Sequence, residues 1–336
     1  MNLRKAFLDI MKGEDPVKVG WMGYGFAPFP QSMFHVVLDP ISFWDILQFS
    51  GEAAIDNWGG TIRYLPEKGD PGVIPISNDE NKVIKDMEKW RDYVHFPEIP
   101  SLDWTEAKKQ ADAIDRETTF VMVPSFRGLF ERAHCLMPFE EVLTSLYEYP
   151  DEMDEFFAAY AEWKIKVFEQ LIDNLNPDII HSHDDWGSRT TLFMSPVKFR
   201  ELLKPHYTKM YEYIHKRGVL VQHHSDTNCM GIETDMVDMG IDMWQGVMPT
   251  NDIQQIKKNT GGKVLMIGGI EQTLIDKADA TEDVIRGEVR RVIDEYAPGG
   301  SFLPCIPSLE CINTHVTPIA IDEMNRYGAE WLKKQK

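Results

Sequence analysis

The side chains best suited to chemistry gather at residues 218–229, which read GVLVQHHSDTNC. Val219, Leu220 and Val221 make a short apolar strand that opens into His223, His224, Ser225 and Asp226. His224 and Asp226 are two apart, a spacing that puts both on one side of an extended segment. Asp184 with Asp185, Gln245, and Cys305 mark three further polar strand ends. A catalytic metal needs three or four N, O or S ligands with one position left open. His224, Asp226 and Cys305 offer an imidazole, a carboxylate and a thiolate for that purpose. Asp184 and Asp185 offer carboxylates that could move a proton or touch a metal-bound water.

Each of these residues also has a plainer role. Asp226 or Ser225 can cap the next helix, and Cys305 can be a small buried side chain. One of Asp184 and Asp185 is expected to serve the fold as a helix cap or ion pair. His181 and His183 read as structural, one pointing inward and the other toward the helices. Cys135 and Cys311 read as packing residues. Ser125 and Arg127 follow a strand and could position a substrate. Trp21, Tyr24 and Phe26, with Trp58, Phe126 and Trp186, offer an apolar wall for a bound ring, and Gln245 a polar contact. For the first of these stretches the alternative is a plug at one end of the fold. No Ser-His-Asp order or nucleophile elbow is present, and neither GxGxxG nor a P-loop follows a strand.

The elements that must position these side chains alternate. Strands are expected at 17–24, 120–123, 178–181, 219–221, 242–247, 263–267 and 301–304. Helices are expected at about 81–94, 104–118, 138–149, 150–174, from Ser195-Pro196 onward, 231–239, 253–259, 271–277, 281–296, and, after the strand at 301–304, a last one to about 333. Ser195 before Pro196 is a helix start, and Asp151, Glu152 and Asp154 suit the first turn of the helix at 150. Alternating strand and helix units imply a parallel sheet with right-handed crossovers. A count near eight favours a (β/α)8 TIM-type barrel, whose chemistry sits at the C-terminal ends of its strands. The whole chain, 1–336, reads as one barrel domain. Residues up to about 118 form an N-terminal elaboration with the first strands, and 119–336 carry the regular units.

A net charge of −19 argues against a nucleic-acid partner. No apolar run is long enough to cross a bilayer, and the first residues lack the features of a signal peptide. Four cysteines without a pairing pattern suit a reduced, cytoplasmic protein.

The runs HDDWGS (183–188), MSPVKFRELLKPHY (194–207), VQHHSD, MVDMGIDMWQGV and KVLMIGGI together resemble the uroporphyrinogen decarboxylase superfamily, over nearly the whole chain from about Asp56. Within it the sequence is more similar to the cobalamin-linked methyltransferase branch. The decarboxylases carry an N-terminal arginine-rich motif that grips substrate carboxylates, whereas here no arginine lies between Arg4 and Arg63. Methylcobalamin:coenzyme M methyltransferases bind zinc through a His-x-Cys pair and a distant Cys. Carried over, these fall on His224, Asp226 and Cys305, so an aspartate stands where that branch has its first cysteine. The resemblance therefore leaves three options: a mixed N/O/S zinc site, a site rebuilt with His223 or Cys229, or no metal. It implies a zinc-dependent methyltransferase that works with a partner corrinoid protein carrying cobalamin. A carboxylate in place of a thiolate hardens the metal and favours an oxygen ligand, so the expected substrate is an aryl methyl ether (a methoxyarene). The alternatives are thiol methylation from methylcobalamin, decarboxylation, and a non-catalytic corrinoid or ligand binder.

Overall fold

The computed structural model describes residues 34–45, 53–64, 73–306 and 311–334. Its centre is a seven-stranded sheet in the order β1 (Phe34–Val36), β5 (Phe120–Ser125), β6 (Ile179–His183), β7 (Leu220–His224), β8 (Met243–Val247), β9 (Leu265–Gly269) and β10 (Phe302–Cys305). Every pairing in it is parallel. From β5 onward spatial neighbours are also sequence neighbours, with helices between them, so the fold is an α/β TIM-type barrel. The strand expected at 17–24 lies outside the described residues. The strands β5, β8 and β9 are buried along their whole length, as befits a sheet enclosed by helices.

Strands β2 (Ala53–Ile55), β3 (Thr61–Tyr64) and β4 (Val73–Pro75) form a separate antiparallel sheet. Trp58, in the turn between β2 and β3, packs edge-on to Tyr160 and Trp163 of the long helix Pro150–Leu175. Its indole donates to Asp45 and lies under the Arg132 guanidinium, 4.6 Å from ring centroid to Cζ. Arg132 is fully buried and bonds Asp45 and Asp56, and Asp56 also takes Arg127. Two guanidinium groups against two carboxylates offset the cost of desolvating all four.

Residues 81–94 do not form the expected helix. Asn78 accepts from the Glu80 and Asn81 backbones, and Asn81 bonds the Ile76 carbonyl. Such side-chain bonds compete with helical ones, and only a 3-10 turn at Met87–Lys89 and one helical turn at Trp90–Tyr93 remain. In the other direction, an unforeseen helix, α1 (Leu129–Leu136), follows β5.

Helix α1 has no cap of its own, because its N-cap is Gly128. The cap comes from Asp184, just past β6. Its two oxygens accept from the Phe130 and Glu131 backbones at 3.0 and 2.8 Å. The same carboxylate accepts from the Trp186 indole at 3.1 Å and from the Tyr207 hydroxyl. Gly128 leaves the room this needs, since a Cβ there would lie 2.2 Å from the Tyr207 hydroxyl and 2.3 Å from the Asp184 Cβ. Asp184→Ala strips four buried donors of one acceptor and should cost at least about 3 kcal/mol. Urea unfolding of the variant checks this; a loss under about 1 kcal/mol would show the cap to be dispensable.

Candidate functional site

In β6 and β7 the pairing sets His183 opposite His224, and in β7 and β8 it sets His224 opposite Gln245. Three strand ends thus stand side by side with polar side chains. The His183 and His224 rings stack, with centroids 4.3 Å apart and planes 21° from parallel. Gln245 Oε1 accepts from His224 Nδ1. That bond fixes the tautomer and leaves Nε2 with its lone pair free for a metal, the usual way a ligating histidine is held.

Beyond the strands, Asp185 accepts from the Asp226 backbone at 3.1 Å. Two sets of three donors result, each with its ligand atoms within 4.8 Å of one another: Asp185, His224 and Asp226; and Glu131, His183 and Asp185. All five side chains are half-buried, as a site open to solvent on one side requires. The donors are nitrogen and oxygen throughout. Imidazole and carboxylate suit zinc and other divalent first-row ions, so the residues fit a metal, though with a harder donor set than one containing thiolate.

The electrostatics are those of crowded acids and bases. Burial pushes Asp185 up, and the neighbouring Asp226 carboxylate adds to it, so it stays protonated well above the usual range. Burial works against the His183 imidazolium, but Glu131, Asp185 and Asp226 outweigh it and raise His183 to about 10. Burial likewise works to raise Glu131, yet His183 pulls it down to about 2. His224 is lowered, first by burial and then by His183.

The remaining expected site residues lie as follows. Asp184 is fully buried and spends both oxygens on the fold; burial and Glu131 raise it to about 7. Trp186 is fully buried and stacks on His223 at 4.0 Å, rather than lining the mouth. Trp58 is a core residue too, held by Asp45 and Arg132. Phe126 is half-buried with its ring 6.2 Å from that of His183. Trp21, Tyr24 and Phe26 lie outside the described residues. Cys305 is in neither donor set, and its thiol donates to the Ile306 carbonyl at 3.1 Å. His223 uses one ring nitrogen on Tyr211 and the other on the Asp184 carbonyl. Cys229 sits against Ser225 and Thr227, and burial pushes it up to about 12. Ser125 holds Lys164 at 2.6 Å, and Arg127 is paired with Asp56.

Two members of these donor sets were not expected from the sequence, Glu131 and His183. His181 and His183 do not point to opposite faces. They are two apart, and both rings contact the His224 ring. The alternation rule applied correctly to 183 would have found this one. Glu131 comes from the unforeseen helix.

Residues 117–308 match the uroporphyrinogen decarboxylase (URO-D) family. The match spans more than half of the chain, and the chain belongs to that family. No curated protein matches the sequence. Among solved structures, a methyltransferase from Methanosarcina mazei shares the fold at a TM-score of 0.55 and 14% identity, over 83% of this chain and 76% of that one. No helix among the described residues is long and apolar enough to cross a membrane.

In metal-free protein, Glu131→Gln removes the nearest anion that stabilises the His183 imidazolium. The expected result is a His183 titration that moves down from about 10 toward the ordinary histidine range, so that at pH 8 the ring is charged in the parent and neutral in the variant. Imidazole nitrogen NMR shifts against pH read this directly; an unmoved titration would break the pairing.

Proposed function

We propose that this chain is a metal-dependent methyltransferase that removes the methyl group of an aryl methyl ether and passes it to the Co(I) corrinoid of a partner protein. The observation that carries the reading is the convergence of Asp185, His224 and Asp226 at adjacent strand ends with no thiolate among them. The methyltransferase fold neighbour and the family membership support it.

Asp185, His224 and Asp226 would hold the metal, with Asp185 taking the place first expected of Cys305. A zinc ion there would supply Lewis acidity at the ether oxygen that loses its methyl group. Gln245 keeps the His224 ring turned toward the site. Phe126 offers an apolar edge beside His183 for an aromatic ring. The segments after β6 and β7, including Thr191, Phe193, Asn228 and Met230, border an open cleft of about 590 Å³, where a corrinoid domain would dock.

A second reading, decarboxylation, is favoured by the placing of Asp185 at the mouth beside Asp226, where burial and that neighbour raise its carboxyl and suit it to deliver a proton. The absence of arginine between Arg4 and Arg63 weighs against gripping a polycarboxylate there.

Incubation with a Co(I) corrinoid protein and methoxybenzenes bearing a neighbouring hydroxyl should give methyl-Co(III), seen by its spectrum, and free phenol. Carbon dioxide release without phenol would select the decarboxylase. Rapid methylation of a small thiol from methylcobalamin, again without phenol, would select thiol transfer. Elemental analysis separates the ligand sets: Cys305→Ala should keep its metal, and His224→Ala should lose metal while staying folded, because the barrel has its own core. Metal loss in Cys305→Ala would restore the thiolate to the site.

A further inference from the structure

We infer that the mouth of this barrel holds two divalent cations, bridged by Asp185: one on His224 and Asp226, the other on His183 and Glu131. The inference rests on the proposal that the site binds metal at all, and extends it to a second site.

Three observations point to it. The first is the division of donors. Five half-buried ligands form two sets of three that share Asp185 and do not merge into one set. With bonds of about 2.0–2.2 Å to nitrogen and oxygen, one ion reaches only donors within about 4.4 Å of each other. A single ion therefore leaves ligands of one set unused, while two ions use all five. A shared carboxylate can give one oxygen to each, and paired catalytic ions sit about 3.5–4 Å apart.

The second is the stacking of His183 on His224. Nearly parallel rings 4.3 Å apart can each face an ion of their own at about that spacing.

The third is the state of His183. Its Nδ1 lies 2.8 Å from Glu131 Oε1, yet this buried nitrogen has no hydrogen-bond partner among the described residues. The approach is close but not along the N–H direction. Neighbouring ligands on one ion with bonds of about 2.1 Å sit about 3.0–3.4 Å apart, so a small opening of this pair would admit an ion. The mixed imidazole and carboxylate donors select first-row ions such as zinc, cobalt or manganese over calcium or magnesium.

The test is a metal titration of the full-length, metal-depleted protein, read without corrinoid or substrate. Co(II) added by equilibrium dialysis should saturate at two equivalents per chain by elemental analysis. Loaded with Mn(II), the protein should show the exchange-coupled electron paramagnetic resonance spectrum of a bridged pair. Glu131→Gln and His183→Asn should each fall to one equivalent and give an isolated Mn(II) signal, with circular dichroism confirming the fold. Saturation at one equivalent in the parent would overturn the inference, as would two equivalents without magnetic coupling; neither measurement depends on a variant folding. If the one-metal protein still demethylates a methoxyarene, the second ion alone falls and the proposed reaction stands. If two coupled ions bind but no methyl group moves, the pair stands and the proposed reaction falls.

Discussion

Much of the site hangs on one buried carboxylate that has no chemistry left to give. Asp184 accepts four hydrogen bonds, two of them from the first turn of α1. A carboxyl oxygen at a helix N-terminus satisfies orphan N–H groups that the helix itself leaves unpaired. Here the acceptor comes from another strand, 54 positions along the chain. The cap is therefore also a clamp: it fixes where α1 begins relative to the end of β6. Glu131 rides on the first turn of that helix, and Asp185 is the next residue after the clamp. The two meet because Asp184 holds both of their backbones.

This division of labour explains why adjacent aspartates fare differently. Successive residues leave an extended backbone on opposite sides. Asp184 turns into the protein, where Trp186, Tyr207 and the helix end consume its oxygens. Asp185 turns into the mouth, where it meets His183, His224 and Asp226. The same alternation separates His223, packed on Trp186, from His224, which faces the site. Each inward partner is locked by the core, and each mouth-facing one inherits its position from a locked neighbour.

The parallel sheet was legible because its strands are short apolar runs between helices, a pattern that follows from burial on both faces. His224, Asp226 and Asp185 were legible as polar residues at strand ends. Glu131 was not, for a physical reason: α1 is eight residues long and opens on Gly128 without a capping side chain, so its start signal is stored in Asp184. The segment 81–94 misled in the opposite sense, with helical composition overruled by asparagine side chains that bond the backbone. The aromatic residues at 58 and 186 looked like a pocket wall because type alone does not distinguish a ring facing ligand from one facing core. Trp186 is claimed by His223 and Trp58 by Arg132. The ligand reading at Cys305 came from its place at a polar strand end together with the family spacing, and neither reports that the thiol donates to the Ile306 carbonyl and lies in neither donor set.

Every donor in the two sets comes from residues 131–226, and the Gln245 that orients His224 follows on the next strand. They occupy one arc of the sheet, from the loop after β5 to β8, and among the described residues β9, β10 and β1 supply no donor to either set. One arc thus carries the candidate donors of both sets and the other carries none of them. Substitutions on that opposite arc would therefore change what the mouth admits without touching either donor set, so the fold separates the control of admission from the placing of the donors.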